Sequence, residues 1–131
     1  MSFANYWENA ILDHVFGKSS YSAPSNIYVG LSTADPLDDA SALAEPSGNN
    51  YARVSTAPAD WNAASAGSIT NASTITFPQA SGAWGTVTHI CLFDAASGGN
   101  LLASGLLSEQ GLIVNQDTVY FDPGDLEVMQ D

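Results

Sequence analysis

From Phe3 to Phe16 the apolar side chains recur at Phe3, Tyr6, Trp7, Ala10, Ile11 and Val15. Steps of three and four residues place them on one face of a helix. Asn5, Glu8, Asn9 and Asp13 fill the other side. With Ser2 placed as an N-cap and Gly17 as a C-terminal stop, the pattern predicts an amphipathic helix over 3–16. Its stripe has to be buried, against its own domain or against a neighbouring subunit.

After Pro24 the period changes to two. "NIYVGLST" (26–33) alternates Ile27, Val29 and Leu31, as a half-buried strand does. Further strands are predicted at "YARVS" (51–55), within 68–77 from about Ser73, and at "GTVTHICLF" (85–93) and "NLLASGLL" (100–107). "GLIVNQDTVYF" (111–121) reads as two strands around Asn115 to Asp117, and "DLEVM" (125–129) as a last one. "EPSGNN", "QASGAWG", "AASGGN" and "DPGD" punctuate them as turns. One helix followed by short strands with no returning helical period predicts a mainly β fold. The form expected is an antiparallel β-sandwich or jelly-roll-like barrel over 26–129, within a single domain spanning 1–131. Two long connections, 34–50 and 56–67, are expected to be mobile or functional.

Composition narrows the function. Lys18 and Arg53 face 14 carboxylates, for a formal charge of -12. Phosphate backbones and anionic membrane surfaces repel such a chain, so nucleic acid and membrane are not expected partners. Cys91 is the only cysteine, which rules out an intrachain disulfide and a Cys-rich metal site. The N-terminus lacks the basic start and unbroken apolar run of a signal peptide, so synthesis in the cytoplasm is expected.

The run "ADPLDDASALAEP" (34–46) gathers Asp35, Asp38, Asp39 and Glu45. Counted from Asp35, the carboxylates miss the calcium-loop pattern at its glycine, where Ala40 stands, and at its closing glutamate. A solvated loop or a subunit contact is the reading that remains. His89 and Cys91 share a strand face, the arrangement of an activated thiol, yet "VTHICLF" is apolar enough for a core strand. Packing is the expectation there, with Asp94 opening the following turn and His14 packing beside the helical stripe. Asn71-Ala72-Ser73 is a formal glycosylation sequon that carries nothing without a secretory context. Trp84 is expected to cap the core, and Trp61 either to do the same or to meet a partner.

Two blocks, "FANYWENAILDHVFG" (3–17) leading through "SAPSNIYVGLSTADP" (22–36) and "ITFPQASGAWGTVTHICLFDAASGGNLLASGLL" (75–107), stand on either side of "EPSGNNYARV" (45–54). Together they resemble a family of small tailed-bacteriophage virion structural proteins often labelled tail-fibre-like. The resemblance implies a non-enzymatic component of the phage particle, with no catalytic residue, cofactor or metal. It implies contact with other virion proteins, either the major capsid protein or tail proteins, and a homo-oligomer, with a trimer among the forms expected. Capsid decoration as a cement protein is the first expectation, and a tail or fibre component with a receptor- or carbohydrate-binding role is the alternative. The residues expected at partner contacts are Phe3, Tyr6, Trp7, Asp35, Asp38, Asp39 and Trp61.

Overall fold

The computed structural model describes residues 1–130. Ser2 and Phe3 are not the first turn of a helix: they form β1 (Ser2–Phe3), paired with Ser104 and Ala103. The helix α1 runs from Asn5 to Val15, and its N-cap is Ala4 rather than Ser2. The ladder decides this boundary, because the Ala4 N–H is already committed to the Leu102 carbonyl. At the other end Gly17 adopts φ 75 and donates to His14, while the Lys18 N–H reaches Asp13. That is a glycine-terminated helix stop of the Schellman type.

The strands follow as β2 (Ile27–Ser32), β3 (Val54–Thr56), β4 (Ser68–Thr70), β5 (Ile75–Thr76), β6 (Gly85–Phe93), β7 (Leu101–Ile113), β8 (Tyr120–Phe121) and β9 (Glu127–Met129), with a 3-10 turn at Pro58–Asp60. The large sheet has the order β3-β2-β6-β7-β1-β9-β4, and β5 and β8 make a second, two-stranded sheet. Every pair is antiparallel except β1 with β9. The mainly β expectation holds, as a curled mixed sheet with one N-terminal helix. The segment 68–77 splits into β4 and β5. The segment 111–121 divides as expected, but its first part is the end of the long β7.

The core lies inside the curl, where Val29, Leu31, Phe77, Trp84, Ile90, Leu92, Leu102 and Val128 are buried. Aromatic edges organise one end of it: Trp84 meets Tyr51 at 5.2 Å and Phe77 meets Phe121 at 6.4 Å, each near T-shaped. Trp84 is therefore a core residue, as expected, with its indole N–H donated to the Asn49 carbonyl. Both outer strands of the large sheet, β3 and β4, have three residues each, and short edges limit unwanted strand pairing.

Candidate functional site

The helix is where the sequence pattern and the tertiary packing part company. α1 lies over β1 and β7, yet none of its residues is fully buried. Phe3, Trp7, Ala10 and Ile11 are half covered by the chain's own sheet. Farther along, Leu12, Val15 and Phe16 are 56%, 69% and 74% exposed. Leu12 and Phe16 are one turn apart, so they form a continuous apolar strip on the outward side.

Trp7 and Trp61, distant in sequence, line one groove of about 440 Å³ with Tyr21, Ile27, Pro58 and Ile69. The Trp7 indole N–H donates to the Tyr21 hydroxyl at 2.8 Å, and that of Trp61 donates to Thr56 Oγ1 at 2.9 Å. Asn62, also in the lining, donates to Thr70 Oγ1. With these polar groups already bonded inside the chain, the groove suits an apolar side chain better than the hydroxyls of a sugar. His14 is exposed, and its Nδ1 accepts from the Tyr21 N–H at 3.1 Å, tying the segment after the helix back onto it.

Phe3 packs on Trp7 with ring centroids 4.5 Å apart and the rings tilted by 40°, and Tyr6 stands on the exposed flank. The acidic loop docks at the start of the same helix, where the Asn5 N–H donates to the Asp38 carbonyl. A helix N-terminus favours negative charge beside it. Asp35, Asp38 and Asp39 are all exposed. Asp35 and Asp39 accept from the N–H groups of Leu37 and Ser41, the short turns these side chains favour. Hydrogen bonds from Ser41 hold the Asp39 carboxyl below the usual carboxylate range. The loop is pinned at its neck: Ser32, fully buried, accepts from the Ala44 N–H and donates to the Ala34 carbonyl. Among the described residues no group of three metal-ligating side chains comes together.

Glu45, the fourth acid of that run, belongs elsewhere. It accepts from Arg53 through both carboxylate oxygens and from the Tyr51 hydroxyl at 2.7 Å. Arg53, 5% exposed, lies 3.4 Å over the Phe93 ring and donates to the carbonyls of Ala95 and Gly98. Burial pushes the Tyr51 hydroxyl well above the ordinary tyrosine pKa. Sequence reasoning missed this network, although its residues sit in the "EPSGNNYARV" block. The available signal was Arg53 itself, one of two bases in a chain where an arginine beside apolar residues has to find a carboxylate.

His89 and Cys91 do not make a nucleophile. Cys91 is fully buried with Ala4, Phe93 and Leu101, and burial pushes its thiol up to about 12. His89 Nδ1 is held by the Thr88 hydroxyl at 2.8 Å. Asp94 accepts from the backbone and side-chain amides of Asn100, closing the turn as expected. Asn71 of the sequon is buried and joins Ser73, Asp122 and Leu126, a structural link that the sequence did not signal.

Comparison with protein families matches residues 2–129 to the family described as Podophage GP4 fiber I protein gp80. A search of curated proteins finds no match to this chain. The matched span takes in the helix, the acidic loop, the arginine network and every strand. The chain thus belongs to the podophage GP4 fiber I protein gp80 family, and is a bacteriophage structural protein.

Proposed function

We propose that this chain is a non-enzymatic subunit of a virion fibre that works by contact with other virion proteins. The observation that carries the reading is the family match over 2–129, whose description names a fibre. The helix supports it: an apolar strip of Leu12, Val15 and Phe16 left uncovered by its own fold is the kind of surface that assembly buries. The contact surface assigned is Tyr6 with the exposed edges of Phe3, Trp7 and Trp61, flanked by Asp35, Asp38 and Asp39. Near the strip Lys18 partly offsets Glu8 and Asp13, two acids against one base, which is less acidic than the chain as a whole. The exposed strip supports a homo-oligomer, with a trimer among the expected forms, as part of this reading.

The strongly acidic, lysine-poor surface favours a second reading, a decoration protein on the outside of the capsid. Electron microscopy of the intact particle, with this chain located by a label, separates the two. Density on a fibre supports the first, and density over contacts between major capsid subunits supports the second. Absence of the chain from purified particles by mass spectrometry overturns both.

A further inference from the structure

We propose that Leu12 and Phe16 of one copy dock into the groove between Trp7 and Trp61 of the next, a head-to-tail contact between unlike surfaces of the same chain. The inference rests on reading the chain as an assembly subunit and names which surface meets which.

The groove is built before any partner arrives. Ile27, Ile69, Leu92 and Val128 line it together with the two tryptophans. Tyr21 is fixed there twice, through its hydroxyl by the Trp7 indole and through its N–H by His14, and Trp61 is fixed by Thr56. A cleft held in shape this way costs little ordering when it is filled. Its volume of about 440 Å³ falls among clefts of about 300–1,000 Å³ that take a small ligand, so it has room for more than one side chain.

Charge points to a second copy as the occupant. No lining residue is charged, in a chain with 14 carboxylates and a formal charge of -12. Two copies repel wherever their acidic surfaces meet, so a contact between them has to use uncharged patches. The chain carries a matching patch in Leu12 and Phe16, 56% and 74% exposed. Arg53 is held by Glu45, and the other basic side chain, Lys18, follows Phe16 by two residues. On the groove side, Asp60 lies between the lining residues Pro58 and Trp61 in the chain. Docking the strip thus sets a base on one side of the contact and an acid on the other.

Direction decides the symmetry. With 3.6 residues per turn, Leu12 and Phe16 stand about 140° and about 180° around the helix from Trp7, and Phe16 about 13 Å farther along its axis. Leu12 accordingly borders a separate hollow with Phe3, Glu8 and Ile11. A chain cannot fill its own groove, and two copies cannot fill each other's across a two-fold axis, because strip and groove face different ways. Each copy offers its strip to one neighbour and its groove to another. Contacts of this kind close into a ring when the rotation divides a full turn, a trimer included, and otherwise run on as a filament.

The test uses the purified full chain and two variants. Leu12→Ser with Phe16→Ser removes the strip and keeps the groove, whereas Ala23→Glu with Ala63→Glu places carboxylates at two exposed positions of the groove lining and keeps the strip. Ala63→Glu alone repeats the groove arm with a single exposed substitution. Analytical ultracentrifugation is expected to show the parent chain associating as its concentration rises, with the emission of Trp7 and Trp61 shifting to the blue as the groove fills. Each variant alone is expected to associate at least about a hundredfold more weakly, through lost apolar burial in one and a buried unpaired charge in the other. The equimolar mixture is decisive: the groove of the first variant takes the strip of the second, so pairs form and growth stops there. A mixture that stays monomeric, a variant that associates as the parent does, association without a change in tryptophan emission, or a parent chain that is monomeric at about 1 mM overturns the inference. A chain that is monomeric in solution yet located on fibres overturns this contact alone and leaves the subunit reading standing.

Discussion

Arg53 shows how much one side chain can organise in a chain with almost no cations. Its guanidinium joins Glu45, two carbonyls of the Asp94–Asn100 turn and the face of Phe93, so it ties the acidic loop to the end of β6. Arg53→Met is expected to cost about 3 kcal/mol in denaturant unfolding, because it leaves the 20%-exposed Glu45 carboxylate without its cation. Arg53→Lys should recover only part of that, since a point charge cannot reproduce the fork. A loss below about 1 kcal/mol would show that Glu45 rehydrates freely. Gly30 lies underneath, where an added Cβ would stand 2.9 Å from Phe93 and 3.0 Å from the Tyr51 hydroxyl. Gly30→Ala is therefore expected to destabilise by about 1–3 kcal/mol by overpacking the network, read by the same unfolding curves. Cys91 adds a pH dependence. Its thiol keeps its proton in the fold up to about 12, whereas the unfolded chain loses it above 9.0. The resulting stability is complete below pH 9.0 and fades as the pH climbs to about 12, and Tyr51 acts in the same direction above 10.0. Thermal midpoints should fall across that window, less steeply in Cys91→Ala, and native Cys91 should resist thiol reagents.

At the scale of the element, the helix and the β6–β7 pair were legible for different reasons. β6 matches its expected limits because its alternation and flanking glycine and turn signals agree. The helix existed where the 3.6-residue period put it, but Ser2 and Phe3 were lost to β1, since helical periodicity carries no information about a strand 100 residues away. The uncovered half of the stripe leads to a prediction. Leu12→Ser with Phe16→Ser should change unfolding free energy by no more than about 0.5 kcal/mol, because those side chains touch little in the folded chain. The same double variant should lose self-association in light scattering and incorporation into particles. A large stability loss would mean that the strip is covered within its own fold, and unchanged assembly would move the contact elsewhere.

For the whole molecule, the formal charge of -12 is opposed by a single side-chain ion pair among the described residues, Arg53 with Glu45. Self-repulsion then outweighs internal attraction, so raising salt from about 10 to 150 mM is expected to raise the thermal midpoint. A midpoint that falls with salt would show that the one buried pair dominates. The candidate surface was only partly legible at this scale. Trp7 and Trp61 were both singled out, but nothing in their spacing placed them in one groove. Asp38 was expected to face a partner or water, and the fold added its carbonyl as a brace at the start of α1. The sequence by itself determined the mainly β class, the helix, most strand positions and the acidic surface, because these follow from local periodicity, turn residues and composition. Tertiary structure alone decided which strands are neighbours, that Glu45 leaves the acidic run to hold Arg53, and that Ser2 and Phe3 form a strand between β7 and β9. Those outcomes depend on backbone hydrogen bonds and packing between residues far apart in the chain, which no local pattern encodes.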